Sequence, residues 1–227
     1  MLSRLGADRR RARWAGQAPP GPVRDYLATP PPGPRTDVAD LRLLALDLET
    51  TGLDPRSDHI LSVGFVPVDG RQIVLSGAEH LLCRAEVEVG QSATIHGITD
   101  DALAEGIDLR TLVERVATAL TGRALLAHHA VIETEFLSAA CERELGVPLP
   151  MTAVDTMQLH SRVLRSNAGE GLPQGALRLP TARAHLGLPR YAAHEALTDA
   201  LACAELYLAQ VDRLSGGQPM SLKALQR

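Results

Sequence analysis

Apolar and polar positions alternate along the chain in blocks of two kinds: short dense runs, and longer stretches with a period near that of a helix. The run LRLLALDLE, residues 41–49, is almost unbroken until its end, the pattern of a strand covered on both faces. HILSVGFVPVDGRQIVLSGAEHLLC, residues 59–83, predicts two further strands around Asp69-Gly70, a dipeptide favoured in tight hairpin turns. Leu109, Leu112, Val113, Val116 and Leu120 fall at helical spacing and predict an amphipathic helix from Leu109 to Thr121, stopped by Gly122. RALLAH reads as a short strand, and VIETEFLSAACEREL after it as a helix ending at Gly146 and Pro148. TAVDT is a last short strand, leading into the helix MQLHSRVLR. SNAGEGLPQGALRLP is a loop rich in glycine and proline, TARAHLGL a short helix, and HEALTDALACAELYLAQVDRL a long one with Leu197, Leu201, Ala204 and Leu208 as its stripe. A hairpin-rich start followed by alternating helices and strands predicts an α/β domain with a mixed sheet over residues 41–214.

Residues 1–40 are of different composition. QAPPGPVRDYLATPPPGPRTD is dense in proline and glycine, which predicts extended or turn backbone with little regular structure. The expectation is an arm lying across the domain surface, with Trp14 and Tyr26 as its anchors. Its arginines, Arg9, Arg10, Arg11 and Arg13, leave contact with nucleic acid or a partner open. Residues 215–227 are a C-terminal tail.

Composition narrows the function classes only a little. The 227 residues are 45% apolar, enough for a real core, and the formal charge of −4 argues against binding nucleic acid by bulk charge. A local basic groove, or a site that meets phosphates through metal ions, stays open. Cys83, Cys141 and Cys203 form no C-x-x-C pair and sit in apolar segments, as reduced buried thiols of a cytosolic protein do. No apolar run reaches the length of a membrane span, and the arginine-rich N-terminus lacks the apolar stretch of a secretory signal. The expected location is cytoplasmic.

Chemistry enters where the first run ends. Side chains alternate along a strand, so Asp47 and Glu49 share a face and Leu48 takes the other. Two carboxylates a strand-step apart at the end of a buried strand repel one another; a hard divalent cation offsets that, unless the strand ends in solvent and both are hydrated. HHAVIETEF places Glu133 in the first turn of a helix, and Glu135, roughly 200° further round, cannot share its face. Either a site or simple compatibility with the helix N-terminus would put acids there. In HEALTDA, Asp199 opens the last long helix, and His194 five residues earlier belongs in the turn before it, free to reach back over a site.

Taken in order, LALDLETTGLDP, IHGIT, LAHHAVIETEFL and HEALTDA resemble the motifs of the DEDDh 3′→5′ exonucleases, the family of the epsilon proofreading subunit of bacterial DNA polymerase, ribonuclease T and oligoribonuclease. The resemblance covers residues 41–214. It implies a ribonuclease-H-like fold, a five-stranded mixed sheet flanked by helices, and two divalent ions, Mg²⁺ or Mn²⁺. Asp47 would bridge both ions, Glu49 and Asp199 would complete the first site, and the second-motif acid would support the other. His194 would take a proton from the metal-bound water as general base. The Thr50, Thr51, Gly52 and Leu53 turn would hold the terminal 3′-hydroxyl, with Leu53 against the last base and His96 and Ile98 lining the same pocket. The second motif departs from the family's H-N-A-x-F-D: it runs His128, His129, Ala130, Val131, Ile132, Glu133, so that Glu133 replaces an aspartate and His129 an asparagine at the substrate side. The implied activity is release of nucleoside monophosphates from single-stranded DNA or RNA 3′ ends, with a DNA polymerase as the implied partner. Two other readings remain: a weakly active or non-catalytic nucleic-acid-binding module, and a phosphodiesterase for very short oligonucleotides.

Overall fold

A computed structural model describes residues 2–84, 98–165, 172–192 and 194–227. His96, expected in the substrate pocket, lies outside them. Among the described residues six strands form one mixed sheet: β1 (Arg42–Thr50), β2 (Ile60–Asp69), β3 (Gln72–Ile73), β4 (Glu79–Leu82), β5 (Ala124–Ala127) and β6 (Ala153–Asp155). β1 pairs antiparallel with β2 and parallel with β5, which pairs parallel with β6. The short β3 and β4 both pair antiparallel with β2. The ribonuclease-H-like architecture stands as expected, but one expected strand is two. After the turn at Asp69-Gly70 the chain leaves β2 after only two residues, turns through a short 3-10 helix at Leu75–Gly77, and rejoins β2 as β4.

Nine helices surround the sheet among the described residues: α1 (Leu2–Gln17), α2 (Pro22–Ala28), α3 (Asp100–Ala104), α4 (Leu109–Leu120), α5 (Val131–Leu145), α6 (Thr156–Arg165), α7 (Leu179–His185), α8 (Ala196–Ser215) and α9 (Leu222–Leu225). None is long and apolar enough to cross a membrane. Alternation along β1 divides the core. Leu44, Leu46 and Leu48 pack with Leu112, Val116 and Leu120 of α4 and Phe136 and Leu137 of α5. Leu43 and Ala45 face the other way, toward Cys203, Tyr207 and Val211 of α8. Asp47 and Glu49 are in phase with this second set, so they emerge on the α8 side.

The first forty residues depart from the expectation of little regular structure. They hold α1 and α2, and Ala18, Val23, Tyr26 and Leu27 are buried in the same cluster as α4. The prolines lie between and after these helices, with Pro22 in the first turn of α2, where its missing N–H costs nothing. Tyr26 does anchor the segment: its hydroxyl donates to the Pro150 carbonyl at 2.8 Å, and the Arg11 guanidinium lies 4.2 Å from its ring centroid. Trp14 packs partly buried against the same cluster.

Candidate active site

Asp47 stands opposite Gly64 in the β1–β2 register. A Cβ on Gly64 would sit 2.0 Å from the Leu197 backbone nitrogen and 2.2 Å from the Ala196 carbonyl carbon. Only glycine therefore lets the first turn of α8 lie directly on β2, and that contact carries Asp199 to the face where Asp47 and Glu49 emerge. The Glu195 side chain caps α8 by accepting from the Thr198 N–H at 2.9 Å. His194 precedes this cap and adopts a left-handed backbone, φ 71°, with its N–H donating to Asp199 Oδ2 at 2.8 Å. It is thus outside the helix, as its spacing from Asp199 predicts. Ligand atoms of Glu49, His194 and Asp199 all lie within 4.8 Å of one another.

Glu133 reaches the same place from α5. It is 3% exposed, whereas Glu135 is exposed, so the helix register expected from the sequence is the one observed. Glu133 Oε2 is buried without a hydrogen-bond partner. The four carboxylates hold their protons more tightly than free acids. Burial raises Asp47 well above its usual range, and the charges of Glu133, Asp199 and Glu49 raise it further. Glu49 is raised to about 7, chiefly by burial and then by Asp199 and Glu195. Burial raises Glu133 to about 8, against a hydrogen bond from its own backbone, with Asp155 adding to the rise. Asp199 is raised by burial, partly offset by the His194 N–H. Crowded carboxylates, an orphaned buried oxygen and an imidazole beside them are a donor set that fits hard divalent cations.

The substrate side is built from the turn after β1. Asp58 accepts from Thr51 Oγ1 at 3.1 Å and from the Asp54 N–H at 2.9 Å, and its carboxylate occupies the space a Cβ on Gly52 would need. Thr50 Oγ1 donates to the Gly52 carbonyl at 2.6 Å. This hydrogen-bonded turn presents Leu53, 77% exposed, at the rim of a cleft of about 1080 Å³. Asp47, His128, His129, Met157, Arg178, His194 and Asp199 line the same cleft. Ile98 lies half-buried just ahead of α3 and is not among those lining residues.

His129 has φ 79°, a conformation asparagine tolerates better than most residues, and its N–H donates to Asp155 Oδ1 at 3.1 Å. His128 is used structurally: its ring bridges Thr156 Oγ1 and the Leu177 carbonyl, each at 2.8 Å. Sequence reading overlooked three contributors. Asp155, read only as the end of a strand, caps α6 through the Met157 N–H and holds the His129 backbone. Its position at a strand-to-helix junction was the available signal. Asp58, which organises the turn, and Gly64 carried no signal of their own, because their partners become neighbours only in the fold.

Comparison with known proteins agrees with this geometry. The RNase_T family model, described as an exonuclease, matches residues 44–207. The epsilon subunit of DNA polymerase III from Treponema pallidum is 30% identical over 74% of this chain and 75% of its own length. A PolC-type DNA polymerase III from Thermotoga maritima is 28% identical over 77% of this chain, which spans only 12% of that protein. Among solved structures, E. coli exonuclease I in complex with a dT13 oligonucleotide has a TM-score of 0.65 at 17% identity, covering 77% of this chain and 42% of that one. Cell-death related nuclease 4 has a TM-score of 0.66 at 13% identity, covering 77% and 64%; both share the fold. With the ordered acidic motifs gathered at one edge of a ribonuclease-H-like sheet, the chain belongs to the DEDD-type exonuclease family.

Proposed function

We propose that the protein is a divalent-metal-dependent 3′→5′ exonuclease that removes nucleoside monophosphates from single-stranded ends. What supports this reading is that Asp47, His194 and Asp199 line a cleft with Leu53 at its rim, that Glu49 lies with His194 and Asp199, and that the charges of Glu133, Asp199 and Glu49 all act on Asp47. The four carboxylates would hold two ions, Mg²⁺ or Mn²⁺; such a pair, when bound, stabilises both the attacking and the leaving oxygen of an in-line phosphoryl displacement. The His194 ring, exposed beside Asp199, accepts the proton of the attacking water, and an imidazole does this near neutral pH. The Thr50–Leu53 turn receives the 3′-hydroxyl, and Leu53 packs against the terminal base. His129 lines the other side. Relatives that are polymerase subunits, and a fold neighbour solved with a DNA oligonucleotide, support single-stranded DNA as substrate and a DNA polymerase as partner.

The test is a time course on 5′-labelled DNA and RNA oligomers with Mg²⁺, Mn²⁺ or chelator. A ladder shrinking from the 3′ end, blocked by a 3′-phosphate and indifferent to a 5′-phosphate, is expected. Rapid cutting of circular single strands would sink the reading. A second reading, a nucleic-acid-binding module with little activity, is favoured by Glu133 standing where the family has aspartate; binding without hydrolysis in either metal would favour it.

A further inference from the structure

Among the residues that the metal site and cleft do not use, Arg183 is unusual: a guanidinium on α7 with only 3% of its surface exposed. Its Nη1 donates to the Ala202 carbonyl at 2.6 Å, and its Nη2 to the Pro189 carbonyl at 2.9 Å and Glu205 Oε2 at 2.7 Å. The Tyr191 ring lies over it, 4.5 Å from centroid to guanidinium carbon, and the Tyr191 hydroxyl donates to Glu205 Oε1 at 2.8 Å. One buried cation therefore fastens α7, the segment 187–192 and α8 together. A charge taken out of water stabilises little by itself, and here both terminal nitrogens are bonded while Nε is buried without a partner, so the fork specifies an arrangement more than it adds stability.

His194 lies a few residues beyond the clamped Tyr191 in sequence. Tyr191 precedes that histidine by three residues, and Ala202 and Glu205 follow Asp199 along α8. His194 itself is exposed, holds a left-handed backbone that costs a non-glycine residue energy, and is tied by its N–H to Asp199. Beside the connection is a hollow of about 400 Å³ with Arg183, Pro189, Tyr191 and Asp199 on its walls, space into which an unfastened segment could move.

We propose that Arg183, with Tyr191 and Glu205, is a positioning clamp that sets the placement of the His194 ring over the site. This rests on the exonuclease reading, in which His194 takes the proton. A base displaced by about 1 Å loses on the order of 100-fold in rate, while substrate binding through the turn and cleft is untouched. Arg183→Lys keeps the charge and loses the fork. It is expected to lower kcat about 100-fold with KM changed less than about twofold, and Tyr191→Phe, which loses only the hydroxyl bond, to fall between it and the unmodified protein. Added imidazole is expected to restore rate in Arg183→Lys and in His194→Ala alike, since both lack a placed base. If Arg183→Lys does not fold, Tyr191→Ala, at a ring already 39% exposed, carries the same test. Unchanged kcat in the clamp variants, with His194→Ala crippled, overturns the clamp alone. A loss that imidazole does not restore, accompanied by weaker Mn²⁺ binding in calorimetry, also overturns it, because the effect would then run through the carboxylates. Full activity in His194→Ala overturns the base assignment and the clamp with it.

Discussion

Glu133 is one methylene longer than the aspartate its family places there, and its carboxylate is buried, with one oxygen unpartnered and its charge acting on Asp47. Shortening it withdraws that oxygen from the other acids, so Glu133→Asp is expected to lower kcat by about tenfold or more, and Glu133→Ala further. Glu135→Ala, on the exposed side of the same helix, is expected to leave kcat unchanged. A rise in rate on Glu133→Asp in steady-state kinetics would instead mark a decayed site. The same acids govern stability without metal. Sign matters here: a carboxyl whose folded pKa exceeds its unfolded one gives stability that is full at low pH and lost as pH rises through the folded value. For Glu49 and Glu133 the loss runs from about 4.5 up to about 7 and about 8 respectively. His160 acts oppositely: fully buried with neither ring nitrogen partnered and pushed down to about 4, it costs stability as pH falls below 6.5. Above 6.5 the raised carboxyls, Asp47 and Asp199 with the two glutamates, act without that opposition. Thermal melts in chelator are therefore expected to fall between pH 6.5 and 8.5, Mg²⁺ to remove that slope, and Asp47→Asn to raise the chelated melting temperature at pH 8 while abolishing hydrolysis. A flat chelated profile would show that the carboxylates are not in conflict.

At the scale of elements, what could be read in advance was whatever depends on one segment's own period. The alternation of β1 put Asp47 and Glu49 on one face, and the helical step separated Glu133 from Glu135, and both hold. What depends on a distant partner could not be read: the Gly64 contact with α8, the Asp58 brace under the turn, and the fork of Arg183. The break between β3 and β4 escaped for a related reason, since continuous hydrophobicity says that a segment is extended and not which stretch of β2 it pairs with. Gly64 gives a sharp test. A methyl group there meets backbone atoms of Ala196 and Leu197, which cannot rotate away, so Gly64→Ala must lift the start of α8 and Asp199 with it. The expected result is a kcat about 100-fold lower together with a stability loss of about 1–3 kcal/mol. Gly16, near the end of α1, has nothing within 4 Å of its would-be Cβ, so Gly16→Ala should raise stability by about 0.5–1 kcal/mol. Two alanines of opposite sign, measured by denaturant melts, separate close approach from helix propensity. Equal effects would mean that α8 does not depend on the missing side chain.

At the scale of the whole molecule, the first forty residues are part of what the sheet is packed against. Composition suggested an arm because prolines and glycines dominate the connections, while Ala18, Val23, Tyr26 and Leu27, spaced among them, fill the groove over α4. The end of the same stretch closes the other side: the Val38 N–H donates to the Met220 carbonyl at 2.8 Å, and the Leu222 N–H to the Thr36 carbonyl at 3.0 Å. Both ends of the described chain thus brace the sheet, away from the residues that line the cleft. Tyr26 concentrates this role, since its ring is 2% exposed, its hydroxyl reaches the Pro150 carbonyl just ahead of β6, and Arg11 stacks on it while binding the Tyr26, Thr29 and Pro150 carbonyls. Removing a buried aromatic ring of this kind costs about 3 kcal/mol, which for a chain of this length is a fall in melting temperature of roughly 10 °C. Tyr26→Ala is expected to show that fall with kcat and KM unchanged at a temperature where the variant stays folded. Were the segment instead a basic arm for nucleic acid, the melting temperature would hold while KM for oligonucleotides rose, more steeply at low salt than at high. Melting curves and initial rates on one purified variant, at two salt concentrations, distinguish a brace from an arm.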